Sequence, residues 1–149
     1  MPEDLVFMMG QYEARVPVDR CYSENHLWLK ECDNGYRVGL TAYSVRLLQD
    51  VYFLNWNIDA DSKVHKKQEI GEIESSKALS NLYAPFDGWI VNFNEILLDD
   101  PSTINTDNYG EGWLFRFQSD CELLMPQQYL KVLEDGWEDA QRILKGQIN

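Results

Sequence analysis

The sequence is short of the residues from which metal centres and disulfide frameworks are built. It holds three cysteines, Cys21, Cys32 and Cys121, an odd number at wide spacings with no C-x-x-C among them. Its two histidines, His26 and His65, stand in no metal-ligand spacing. A zinc site therefore lacks a recognisable donor set. Reduced thiols in a cytoplasm fit better than a disulfide framework. Basic residues are also scarce: 13 Lys and Arg face 25 Asp and Glu, for a formal net charge of -12. Phosphate backbones and anionic membrane surfaces repel such a chain, which argues against a nucleic-acid or membrane partner. The same charge favours solubility and docking onto basic patches of other proteins. No apolar run approaches the length that spans a bilayer. The start carries Glu3 and Asp4 where a signal peptide needs basic residues, and it is not the Arg-rich, acid-poor stretch of a mitochondrial presequence. A bacterial-type cytoplasmic location is expected.

What is present is one domain's worth of chain. The length is 149 residues and 44% are hydrophobic, enough for a core without staples. No repeat or low-complexity tract stands out. Residues 1–22, with Pro2 and Pro17, lack sustained periodicity and read as an N-terminal extension that wraps the domain or stays loose. From His26 to Leu40 the pattern is a hairpin turning at Asp33-Asn34-Gly35. Thr41 is a plausible N-cap for a short helix with Ala42, Val45 and Leu48 on one face. Val51–Ile58 is aromatic and β-branched, hence a strand; Asp59–Lys67 is loop-like. Gln68–Ser75 and Ser80–Pro85 are extended arms around a turn, and Pro85-Phe86-Asp87-Gly88 is a second turn. Gly88–Asn94 reads as a strand with Trp89, Val91 and Phe93 on one face. Leu97–Gly112 reads as a long polar loop, followed by a last strand with Trp113, Phe115 and Phe117 on one face. From Pro126 to Lys145, Leu130, Leu133, Trp137, Ala140 and Leu144 repeat at helical steps, with a break possible at Gly136. Short connections favour antiparallel pairing, and the expected architecture is a mostly β sandwich or flattened barrel with flanking helices.

Lys77 stands out at the tip of the two extended arms, among the small residues Ser75, Ser76, Ala78 and Ser80. A solvated, protruding amine there suits an enzyme that must engulf it, and an arm that must then swing between active sites. An ordinary surface lysine has the same residue-level signature. The run Glu74-Ser75-Ser76-Lys77-Ala78-Leu79-Ser80-Asn81-Leu82-Tyr83-Ala84-Pro85-Phe86-Asp87-Gly88 goes further. It resembles the lipoylation hairpin of glycine cleavage H-proteins, roughly E-S-x-K-A-x-S-x-x-Y-x-P-x-x-G. The resemblance continues through Ser23-Glu24-Asn25-His26-Leu27-Trp28, Val38-Gly39-Leu40-Thr41, Asn92-Phe93-Asn94-Glu95 and Tyr109-Gly110-Glu111-Gly112-Trp113-Leu114, in the family's order.

That resemblance implies a barrel-sandwich hybrid, a flattened β-barrel of two antiparallel sheets, and a C-terminal helix. It implies three segments: an N-terminal extension (1–22), a lipoyl-carrier domain (23–122) and a helical tail (123–149). It implies a carrier rather than an enzyme, with lipoate in amide linkage to Lys77 and with Glu74 and Gly88 read by the lipoylating enzyme. The implied partners are a PLP-dependent glycine decarboxylase, a folate-dependent aminomethyltransferase, dihydrolipoyl dehydrogenase, and a lipoate ligase or an octanoyltransferase with lipoyl synthase. The carrier would shuttle an aminomethyl group among the first three. A carboxylate near the S-x-x-H-x-W start, Glu24 or Glu31, is expected to hold the loaded arm's ammonium in a cleft. One departure is clear: Leu54-Asn55-Trp56-Asn57-Ile58-Asp59 replaces the family's E-L-P-x-x-G, near its docking face. A second reading follows from it, a lipoate-binding relative serving a sulfur-oxidising, heterodisulfide-reductase-like system.

Overall fold

Alternating apolar residues and tight turns set the strands of this chain. A computed structural model describes the backbone of residues 3–148 and the side chains of residues 3–142. The expected 26–40 hairpin forms from β4 (Leu27–Cys32) and β5 (Gly35–Leu40). Asn34 takes the left-handed conformation at its turn, φ 63°, which Asn tolerates better than most residues. Thr41 caps α1 (Ala42–Leu48), its side chain accepting from Ser44 N.

Before these elements come β1 (Leu5–Met9), β2 (Tyr12–Val16) and β3 (Cys21–Tyr22). After them come β6 (Val51–Trp56), β7 (Ser62–Val64), β8 (Glu69–Ser75), β9 (Leu79–Tyr83), β10 (Gly88–Phe93) and β11 (Phe115–Gln118). A six-stranded sheet runs β3-β4-β5-β11-β10-β7, and a three-stranded sheet runs β6-β8-β9, both wholly antiparallel. Among the described residues no ladder joins the two sheets into a closed barrel. Leu29, Val38, Ile70, Ile73, Ile90, Phe115 and Phe117, each at most 1% exposed, fill the space between the sheets.

A second core covers the outer face of the β3-β4-β5 end. β1 and β2 pair as a hairpin, and α4 (Pro126–Ile148) lies across it. Phe7, Ala14, Val16, Tyr22, Trp28, Tyr43, Tyr129 and Leu133 meet there. The N-terminal segment is thus a folded part of the body. The Leu133 and Ala140 face is buried as the helical pattern requires, and Leu130 and Trp137 pack beside it; Leu144 lies outside the described side chains. The helix runs through Gly136 without a break.

Four sequence expectations change. β10 carries a bulge between Ile90 and Asn92, so Ile90, not Val91, is buried, and Trp89 is exposed. The loop-like stretch after Asp59 contains the short strand β7. The polar loop contains α2 (Ile96–Asp99) and α3 (Thr103–Thr106), which bury Leu97 and Ile104 completely. Trp113 precedes the last strand and sits under the Arg37 guanidinium, 5.1 Å from the ring centre, with the second core.

Candidate functional site

The β8–β9 connection contains Ser76, Lys77 and Ala78, and Glu74 pairs with Leu79 at its base. Ser75 is buried and serves as its hub. Its N–H donates to Ala78 O at 2.9 Å, and its hydroxyl accepts from the N–H groups of Lys77 and Ala78, each at 3.3 Å. Ser76 is tied to the α1–β6 corner. Its N–H donates to Asp50 O at 2.8 Å, and its hydroxyl accepts from Asp50 N at 3.2 Å. Lys77 is exposed and has no carboxylate within ion-pair distance among the described residues. The backbone is held, and the amine projects free.

Glu74 lies on the outward face of the three-stranded sheet, between Phe53 and Leu79 in register. It is half-buried, and the Tyr52 hydroxyl donates to its Oε1 at 3.2 Å. Tyr52, Phe53 and Leu79 are 58%, 46% and 64% exposed, so an apolar rim surrounds this carboxylate close to the lysine turn. Gly88 is elsewhere. It opens β10 in the other sheet and pairs with Val64. A Cβ at Gly88 would collide with Gln118 O and meet Phe117 Cζ at 2.5 Å, so close strand packing accounts for the missing side chain.

A narrow crevice of about 60 Å³ runs beside β9 between the sheets, lined by Asn25, Leu27, Leu40, Asn81, Leu82 and Tyr83 among others. Asn25 Nδ2 donates to Tyr83 O at 3.0 Å across it. No carboxylate lines it. Glu24 instead pairs with Lys66 Nζ at 3.8 Å. Glu31 lines a wider groove with Cys32, Asp87 and Cys121, and the three cysteines are free. The structure therefore brings neither expected carboxylate into the crevice next to the lysine arm's own strand.

His26 is structural. Its Nδ1 lies 3.0 Å from the Tyr129 hydroxyl, its ring packs on Tyr43 at 4.8 Å, and burial holds it neutral down to about pH 4. Among the described residues no group of three His, Cys, Asp or Glu side chains is arranged to hold a metal ion, and no helix is long and apolar enough to cross a membrane.

The family model for glycine cleavage H-proteins matches residues 20–136. The chain belongs to the glycine cleavage H-protein family. It is accordingly a lipoyl carrier component and not an enzyme. It is 36% identical over 122 residues to the glycine cleavage system H protein of Thermobifida fusca, spanning 80% of this chain and 96% of that one. It is 38% identical over 128 residues to that of Cronobacter sakazakii, spanning 82% and 98%. The crystal structure of an H protein from Mycobacterium marinum superposes with a TM-score of 0.70 at 36% identity, covering 81% of this chain and 99% of that one. The match leaves out the β1–β2 hairpin, which precedes residue 20.

The residue-level reading missed the Asp50–Ser76 tie and the Tyr52–Glu74 contact. Neither has a local signal, because each joins positions 22 or more apart in the chain.

Proposed function

We propose that Lys77 carries lipoate in amide linkage and that the chain shuttles an aminomethyl group between a PLP-dependent glycine decarboxylase, a folate-dependent aminomethyltransferase and dihydrolipoyl dehydrogenase. The observation that carries this reading is the Lys77 turn: fixed backbone, small neighbours and an exposed amine free of any described ion pair. These residues fit the group, since amide formation needs an accessible amine and nothing else from the protein. When bound, lipoate supplies a disulfide that accepts electrons and a one-carbon unit. The chain's own residues supply no general acid or base. Ser75 and Ser76 hold the root of the arm, and Glu74 with its apolar rim offers a contact for the lipoate ligase, or the octanoyltransferase that precedes lipoyl synthase. Tethering then raises the local concentration of the arm at each partner to the order of millimolar.

We assign the carrier role to residues 23–122, with 1–22 and 123–149 bracing them through the second core. A cytoplasmic location accords with three free cysteines. Co-expression with a lipoate ligase, followed by peptide mapping, tests the site. The adduct is expected on Lys77, and one on Lys63, Lys66 or Lys67 instead would refute the assignment. Glycine-dependent loading of the purified carrier by the decarboxylase tests the partner set. A lipoylated chain that takes no one-carbon unit would favour the sulfur-oxidising reading.

A further inference from the structure

We propose that Asn105 is a positioning residue for the Lys77 turn, acting through the backbone around Asp50 and through Ser76. The proposal rests on the reading of Lys77 as the modified residue. Asn105 sits in α3, far from the lysine in sequence, and its carboxamide grips both sides of residue 50. Its Nδ2 donates to Gln49 O at 2.6 Å, and its Oδ1 accepts from Val51 N at 2.8 Å. Residue 50 is left with its own N–H and C=O pointing at Ser76, and it uses both. One side chain thus sets a peptide segment, and that segment sets the residue before the lysine.

The held segment is one the chain does not adopt easily. Gln49 has φ 64° and ψ -136°, a region that L residues rarely occupy. Such a conformation persists only where its surroundings over-determine it. Here the surroundings are Val45 O, which accepts from Gln49 N at 2.9 Å, and the Asn105 carboxamide. Ile104, fully buried, seats α3 on the sheet-to-sheet core and fixes where Asn105 stands. The path from core to lysine is therefore continuous: buried Ile104, Asn105, the Gln49–Val51 backbone, Ser76, Lys77. A modifying enzyme that must bind the lysine turn spends less free energy on ordering when the turn is already ordered. Fixing the turn affects binding of the carrier more than the chemistry at the amine.

Two measurements on the full-length chain test this. The first is the kinetics of lipoate attachment by a purified lipoate ligase with ATP, at a temperature where every variant is folded. Asn105→Ala is expected to raise KM for the carrier and lower kcat/KM roughly ten-fold with kcat little changed, the scale expected when one or two ordered groups become free. Ile90→Val removes one buried methylene from the same sheet-to-sheet core, on a strand outside the path from α3 to the lysine turn, and it is expected to match wild type. The second is amide hydrogen exchange of the unmodified protein, where Ser76 N–H is expected to exchange roughly ten-fold faster or more in Asn105→Ala. Should Asn105→Ala not fold, Asn105→Asp keeps the acceptor for Val51 and loses the donor for Gln49, and carries the same test. Wild-type kinetics in the Asn105 variant would overturn the proposal. So would equal slowing by Ile90→Val, which reports only lost stability, or unchanged Ser76 exchange. A wild-type chain modified on another lysine would instead refute the carrier site, while the exchange measurement would still decide whether Asn105 holds the turn.

Discussion

As the proposed attachment point, Lys77 needs little of its own and much from its neighbours. Its amine is exposed, its backbone is bonded to Ser75, and the residue before it is bonded twice to Asp50. Lys77→Arg keeps the charge and the exposure, so stability is expected to change by no more than about 0.5 kcal/mol. Lipoylation should vanish, because a guanidinium is not an acylatable amine under these conditions; intact mass and chemical denaturation check the two halves. Glu74 is different, since it carries no covalent chemistry. Among the described residues its side chain accepts only from an exposed tyrosine hydroxyl, so Glu74→Ala should leave the fold intact. If it accepts a charged hydrogen bond from the ligase, the loss is about 1.5–3 kcal/mol, or roughly ten-fold or more in lipoylation rate. Attachment at the wild-type rate would remove Glu74 from recognition. The exposed lysine turn between β8 and β9 was legible in the sequence because its whole hairpin is a contiguous motif. Asn105 was not, because its role depends on a backbone segment over 50 residues away.

At the scale of elements, strands bounded by local turns were readable and pieces packed from afar were not. The β4–β5 hairpin and α1 follow from Asn34 and Thr41, whose backbone preferences are local. The β1–β2 hairpin follows equally local rules. Gly10, at φ 65°, opens the two-residue loop between Met9 and Tyr12, and Phe7, Met9, Ala14 and Val16 alternate inward. Its apolar pattern is only two inward residues per strand, too short to stand above irregular chain. In β10 the bulge defeats period-two reading, since it puts Ile90 and the partly buried Phe93 on the core side together. α2 and α3 are one turn each and owe their place to Leu97 and Ile104 rather than to helix propensity. In α4 propensity does matter at one position. A Cβ on Gly136 would meet nothing within 4 Å, so Gly136→Ala is expected to stabilise the protein by about 1 kcal/mol. That corresponds to a rise in Tm of roughly 3 °C for a chain of this size. An unchanged or lowered Tm in calorimetry would mean that α4 is frayed at that point in solution.

The whole molecule is a six-stranded sheet with a core on each face, and His26 belongs to the second of them, where the N-terminal hairpin and α4 meet the carrier body. Its Nδ1 bonds the Tyr129 hydroxyl, which is also 2.9 Å from Thr41 Oγ1, and Tyr129 stacks on Tyr22 at 4.6 Å. Protonating His26 would place an uncompensated charge against the rings of Tyr43 and Tyr129, and burial accordingly lowers its pKa from 6.5 to about 4. The unfolded chain therefore takes up a proton near pH 6.5 while the folded chain does not. Stability from this group is full above pH 6.5 and falls as the pH drops towards 4, by up to about 3 kcal/mol in all. Asp19 contributes in the same sense but lower on the scale. The Arg20 guanidinium, followed by Lys30, holds its carboxyl below the usual range, so its stabilisation is lost only as pH falls through that depressed value. Denaturant unfolding of wild type between pH 7 and pH 4.5 should show a stability loss that His26→Gln, unable to take up a proton, lacks over that interval. Asp19→Asn should keep most of it. Because His26 joins α4 to the body, the loss should reach amides of α4 and of β1 together in hydrogen exchange. Loss confined to α4 would show that the two ends of the chain brace the carrier independently.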